Sequence, residues 1–238
     1  MAATRPEAVL LDVGGVFLLP EHERIKGAFT RAGFSAPSSL DLDLAHYTGA
    51  ARFTTDLDVD ADWAGCWQSY LDAYVKACGV PEEDREEVHR HVDSEFADAA
   101  LWLREIPGCR DGIRALADSG VRLGIISNAD GLIGERLRAL ELVQVGPGLG
   151  VEVECVIDSG NVGVMKPDVR IFNIALDAMG VDASDAWYVG DMPGIDVVGA
   201  RRAGMRPFVI DPLGLHTDAD YDSVASLADL ASLIPTRV

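Results

Sequence analysis

Leu10–Val16 reads LLDVGGV. The run Val9–Leu11 is compactly apolar and ends on a carboxylate and two glycines. That is the pattern of a strand buried on both faces; a half-buried strand would alternate apolar and polar residues. Four further runs have the same character: Leu123–Ile126, Cys155–Ile157, Trp187–Val189 and Pro207–Ile210. Helical stripes separate them. Ile113, Leu116 and Ala117 form one, closed by Gly120. Ile171, Ile174, Ala175, Ala178 and Met179 form another, opened near Pro167 and closed by Gly180, and Gly194–Ala203 runs into Gly204. Proline near a helix start and glycine past its end are the expected punctuation. The tail, with Val224, Leu227, Ala228, Leu230, Ala231 and Ile234 in register, predicts a last helix over Ser223–Ile234. Strand alternating with helix predicts an α/β, doubly wound parallel sheet.

A polar residue follows each predicted strand: Asp12, Ser127, Asp158, Asp191 and Asp211. The carboxyl ends of parallel strands share one edge, where ligands bind. Asp12, Ser127 and Asp191 are therefore candidates for one crevice. Asp158 and Asp211 are accounted for by the preference of aspartate for turns and helix caps.

Between Gly15 and Ile106 the alternation stops. Trp63, Trp67, Tyr70, Leu71, Tyr74, Val75 and Cys78 recur at helical spacing, and so do Val88, Val92, Phe96, Ala99, Ala100 and Leu103. This block predicts a small helical bundle with its own core, its aromatics read as packing. Because it leaves the sheet directly after Asp12, it should emerge at the ligand edge.

The formal charge of −19 argues against nucleic acid as a partner, since phosphate backbones are held by basic surface. No apolar run approaches the ~18 residues of a membrane span. The polar start, Met1–Glu7, lacks the apolar stretch of a secretory signal, so the expected compartment is the cytoplasm. Cys66, Cys78, Cys109 and Cys155 are too scattered for a zinc site or a disulfide framework. Lysine occurs only at positions 26, 76 and 166.

LLDVGGV, IISN at Ile125–Asn128, Lys166–Pro167 and GDMPGID at Gly190–Asp196 stand in one order along the chain. In that order they resemble the motifs of the haloacid dehalogenase-like hydrolase superfamily, in the branch whose helical cap is inserted between the first and second motifs. The resemblance implies a Rossmann-like catalytic core formed by residues 1–15 and 106–238, with a smaller all-helical cap over 16–105. It implies a Mg²⁺-dependent phosphohydrolase acting on a small phosphorylated metabolite through an aspartyl-phosphate on Asp12. Asp12, Asp191, Asp196 and the carbonyl of Gly14 would surround the metal, Asp196 either as a ligand or as a brace behind one. Oxygen-only donors beside a phosphate suit that hard cation. Ser127, Asn128 and Lys166 would meet the phosphoryl group, with Lys166 also balancing the charge of Asp12.

One position departs from the pattern. The family's phosphatases usually carry an aspartate two residues after the nucleophile, as general acid and then base; here it is Gly14. Glu21 or His22 could replace it, or the leaving group could need no acid. Two other readings follow from the same departure: a haloacid dehalogenase, in which the aspartate attacks carbon, or a catalytically retired phosphate-binding module. Nothing in the sequence marks an oligomeric state.

Overall fold

The computed structural model describes residues 5–53 and 63–236. The first four residues of Met1–Glu7 and the side chain of Trp63 lie outside the described residues. From the N-terminus the chain forms β1 (Ala8–Leu11), β2 (Leu18–Pro20), α1 (His22–Arg31), α2 (Ser39–Arg52), α3 (Trp63–Ala77), α4 (Arg85–Phe96) and β3 (Trp102–Glu105). It continues through α5 (Cys109–Asp118), β4 (Arg122–Ser127), α6 (Ile133–Ala139), β5 (Val143–Val145), β6 (Val151–Val153) and β7 (Cys155–Asp158). The last elements are α7 (Ser159–Val162), α8 (Val169–Met179), β8 (Ala186–Gly190), α9 (Pro193–Ala203), β9 (Arg206–Ile210), β10 (Asp222–Val224) and α10 (Leu227–Leu233).

Six of the strands form a parallel sheet in the order β10-β9-β8-β1-β4-β7. β1 is central, and its side chains divide by the period of two. Val9 and Leu11 enter the core under α5, α6 and α10, whereas Ala8 and Leu10 enter the one under α8 and α9. All four are fully buried. Complete burial of one leucine side chain is worth roughly 1.5–3 kcal/mol, so the central strand is fixed by its flanks. Leu11 pairs with Ile125 of β4 on one side and Val189 of β8 on the other. Asp12, Ser127 and Asp191 consequently leave the sheet side by side.

Three sequence expectations change. The tail is not one helix: Asp222–Val224 adds a sixth strand beside β9, and Ser226 caps α10 by accepting from the Asp229 N–H. In α8 the buried face is Ile171, Phe172, Ala175, Leu176 and Met179; Ala178 is exposed. Finally, the interval 16–105 is not wholly helical. Where the chain leaves β1 and where it returns, β2 and β3 pair antiparallel, so both crossings run as one ribbon.

Within that interval α1 to α4 share a separate apolar cluster built on Phe29, Phe53, Tyr70, Leu71, Tyr74, Val88, Val92 and Phe96. Ile195 at the start of α9 plugs into the same cluster, so the block rests on the sheet's ligand edge. Two bonds tie it there. The Tyr47 hydroxyl donates to the Gly15 carbonyl at 3.0 Å, and the Gly194 N–H donates to the Phe53 carbonyl at 3.1 Å.

Candidate active site

The turn after β1 aims Asp12 into a cavity. Its backbone N–H still donates to Val189 (2.8 Å), while its Oδ1 accepts the Val13 N–H at 2.7 Å. Gly15 makes the turn possible. Its φ of +64° is left-handed, and a Cβ there would stand 2.3 Å from the Asp191 carboxylate.

Lys166, fully buried just before α8, reaches Asp12 Oδ2 at 2.7 Å, Asp196 Oδ1 at 2.8 Å and the Tyr188 hydroxyl at 2.9 Å. Its three N–H donors are thereby placed. Asp196, in the first turn of α9, is saturated. Oδ1 accepts from Lys166 and from the Tyr188 hydroxyl (3.2 Å); Oδ2 accepts the N–H groups of Asp191 (3.1 Å) and Met192 (2.9 Å). Asp12, Asp191 and Asp196 each offer an oxygen within 4.8 Å of the others.

The helical block contributes here too. His46 of α2 has no exposed surface, and its Nε2 lies 2.9 Å from Asp191 Oδ2. Its Nδ1 lies 3.0 Å from the Tyr70 hydroxyl of α3. Burial holds the Tyr70 phenol far above its usual pKa, so it stays protonated, and the His46 ring bridges it to the Asp191 carboxylate. Gly49 permits the contact, since a Cβ there would meet the Tyr70 ring at 2.8 Å.

Burial raises the Asp12 carboxyl, and Asp196 and Asp191 raise it further; against the pull of Lys166 it stands at about 7. Burial likewise raises Asp191, opposed by the hydrogen bond from His46. Burial works against the Lys166 ammonium, yet Asp12 and Asp196 outweigh it and hold its pKa above the ordinary lysine value.

The cavity measures about 430 Å³, and Asp12, Gly14, Ser127, Asn128, Lys166, Asp191 and Asp196 all line it. The residues that the resemblance assigned to the metal and the phosphoryl group are thus brought to one place. The Asn128 side chain clamps the Lys166 backbone, accepting from N–H at 2.7 Å and donating to C=O at 3.0 Å. Asp158 and Asp211 hold loops. Asp158 accepts from the N–H groups of Gly160, Gly131 and Ile133, and Asp211 from those of Leu215 and His216.

Glu21 and His22 do not line the cavity. His22 is bound to Asp43 at 2.7 Å, a carboxylate shared with Arg104, and the Glu21 backbone ties to Leu101. Gly14 itself lies under the Trp102 ring, 3.3 Å from where a Cβ would stand. Its φ is not left-handed, so backbone geometry does not demand glycine there. The sequence reading did not name His46 or Trp102, took Tyr70 only as packing, and met Tyr188 only inside the predicted strand Trp187–Val189. The one available signal was His46 standing among Leu42, Ala45, Gly49 and Ala50 on a helix face that buries its other members.

Comparison with known proteins now has a geometry to attach to. Residues 6–204 match the pattern of the haloacid dehalogenase-like hydrolases. A phosphoserine phosphatase from Thermus thermophilus is 36% identical over 169 residues, covering 68% of this chain and 61% of its own length. A HAD phosphatase from Thermococcus onnurineus superposes with a TM-score of 0.55 at 22% identity, covering 98% of this chain and 100% of its own. A 2-haloacid dehalogenase from Pseudomonas syringae gives 0.54 at 22% identity, over 96% and 97%. The structural likenesses establish the fold and the sequence match establishes the lineage: this chain belongs to the haloacid dehalogenase-like hydrolases.

Proposed function

We infer that this chain is a Mg²⁺-dependent phosphomonoester hydrolase of small phosphorylated metabolites, with Asp12 as nucleophile. The observation that carries the reading is the cluster itself: a carboxylate on the central strand, paired at 2.7 Å with a fully buried lysine and gathered with two more carboxylates within 4.8 Å. Three carboxylates against one ammonium leave excess negative charge in a buried site, and the donors are all oxygen. A hard divalent cation fits them. Asp12, Asp191 and the Gly14 carbonyl would hold it; Asp196, with both oxygens occupied, braces Lys166 and the Asp191–Met192 turn. Bound there, Mg²⁺ neutralises charge and keeps the phosphoryl group in line.

The chain's own residues do the rest. An Asp12 oxygen attacks phosphorus, the ester P–O bond breaks, and its electron pair leaves on the departing oxygen. Water then attacks the aspartyl-phosphate, and the carboxylate is released with a proton passing to solvent. Ser127 and the main chain at Asn128 donate to the phosphoryl oxygens, and Lys166 balances the charge. The helical block serves as a cap over the cavity. All four cysteines are free thiols, which fits a reducing, cytoplasmic setting. Among the described residues no helix is long and apolar enough to cross a membrane.

The test is release of inorganic phosphate from a panel of phosphate esters, with Mg²⁺ and with excess chelator. Activity with Mg²⁺ that disappears in chelator is the expected result. The dehalogenase reading draws on Gly14, since carbon–halogen cleavage needs no acid there. Halide release from a 2-haloacid in excess chelator, without phosphate release from any ester, would replace the phosphatase.

A further inference from the structure

Opposite the carboxylates the cavity is aromatic. Phe53 at the end of α2, Trp67 of α3, Phe96 of α4 and Trp102 of β3 line it, with Met192 and Ile195 beside them. These rings are mutually braced. Trp67 stacks on Tyr70 with centroids 4.8 Å apart and planes 8° apart, and Phe96 stands edge-on to both Trp67 (5.5 Å) and Trp102 (5.9 Å). The Trp67 indole N–H is spent on Asp93 Oδ1 at 2.6 Å, so Trp67 offers the cavity ring surface rather than a donor.

The charge of the lining is equally specific. Among the described residues the lining cations are Lys166, whose donors hold Asp12, Asp196 and Tyr188, and Arg136. Arg136 is locked by both Nη atoms to Asp130 at 2.7 Å each. Among the described residues of the lining, a second anionic group on the substrate finds no unengaged cation.

The third observation is Gly14, with no acid and the Trp102 ring packed over it. A leaving oxygen at that point departs as an anion into an apolar wall. A phenol-type oxygen, with pKa about 10 as in tyrosine, tolerates this. A simple alcohol, closer to the value of about 16 for water, does not.

Resting on the phosphatase reading, we propose that the site selects phosphate monoesters of uncharged phenols, with the ring seated against Trp67, Phe96 and Trp102. In the first step the Asp12 O–P bond forms, the P–O(aryl) bond breaks, and its electron pair stays on the phenolate oxygen. That oxygen takes a proton from water after release. Aromatic stacking and low leaving-group pKa act on the same substrates, so wall and missing acid are one specificity.

The experiment measures kcat/KM with Mg²⁺ for phenyl phosphate, cyclohexyl phosphate, phosphoserine and phosphoglycolate. Cyclohexyl phosphate keeps the size and neutrality of the phenyl ester but loses the acidic leaving oxygen. Phenyl phosphate should lead it by at least ~10², the lower end of what general-acid help supplies. Trp102→Ala should raise KM for the phenyl ester more than for phosphoglycolate. In Gly14→Asp/Trp102→Ala, with room made for the new side chain and folding checked by circular dichroism, the gap between phenyl and cyclohexyl esters should narrow. Phosphoserine or phosphoglycolate turning over ahead of phenyl phosphate overturns the assignment and leaves the phosphatase reading intact; Arg136 would then exchange Asp130 for a substrate carboxylate. Equal rates for the phenyl and cyclohexyl esters overturn it as well, because another group would be supplying the proton. No turnover of any ester removes the phosphatase reading itself.

Discussion

Asp12 carries two opposing demands. As the proposed nucleophile it must be ionised, yet burial and the Asp196 and Asp191 carboxylates raise its pKa from the ordinary 3.8 to about 7. A folded-state pKa above the unfolded one means that Asp12 stabilises the metal-free fold below pH ~4 and loses that contribution as pH rises through about 7. Asp12→Asn fixes the neutral form at every pH. In chelator its melting temperature should therefore gain on wild type between pH 5 and pH 8, while phosphate release with Mg²⁺ falls to background. A gap that stays constant with pH would contradict the charge argument, and product at the wild-type rate would remove Asp12 as nucleophile. Lys166 is the complementary case. Lys166→Met should lower kcat by ~10² or more, as loss of a preorganised charge does, whereas Lys76→Met on the far half of α3 should leave it unchanged. Comparable losses would make Lys166 an ordinary structural cation. Both residues were readable from sequence because the chemistry fixes their type and their place after a strand or before a helix.

At the level of elements, the strands Val9–Leu11 to Pro207–Ile210 were legible because parallel strands buried on both faces are continuously apolar. β10 was not, because its Val224 lies in phase with the stripe of α10. β2 and β3 are too short for any period and owe their pairing to the two chain crossings meeting. α2 was missed for another reason: its buried residues include a histidine, a tyrosine and a glycine, so it does not look apolar. Yet α2 delivers His46 to Asp191. Groups that orient a metal ligand commonly cost 10–100-fold in metal affinity when removed, roughly the effect expected of His46→Phe, which keeps the ring volume and loses the donor. Mg²⁺ binding followed by titration calorimetry should weaken by that order, with part of the affinity returning in His46→Gln. Unchanged Mg²⁺ affinity in His46→Phe would reduce the contact to packing. The reading of the α3 and α4 aromatics also needs refinement. Tyr70 and Tyr74 are packing, as expected, but Trp67 and Phe96 in addition face the cavity.

Across the whole molecule, the sheet edge and the helical block close on each other through a few named contacts. His46 meets Asp191, Tyr47 meets the Gly15 carbonyl, the Gly194 N–H meets Phe53, and Ile195 enters the block's core. A substrate whose phosphate sits on Asp12 and whose ring sits against Trp102 touches both sides at once, so these contacts should part as it enters and reform around it. The β2–β3 ribbon carries both crossings and is the natural pivot. The Gly194 amide reports the motion directly, because its partner, Phe53, belongs to the opposite side. With Mg²⁺ and a non-hydrolysable phosphate analogue bound, exchange of the Gly194 amide should slow, and the radius of gyration from solution scattering should stay equal or fall. Amides in the centre of the sheet, such as that of Leu10, open only with the global fold and should slow by the stabilisation that binding confers on the whole molecule. Gly194 exchanging far faster than Leu10 in the free protein, and slowing when the analogue binds, is the signature of a cap closing on a rigid core. Equal protection at both positions, with and without the analogue, would mean that the helical block and the sheet move as one body and that substrate reaches Asp12 through the cavity mouth alone.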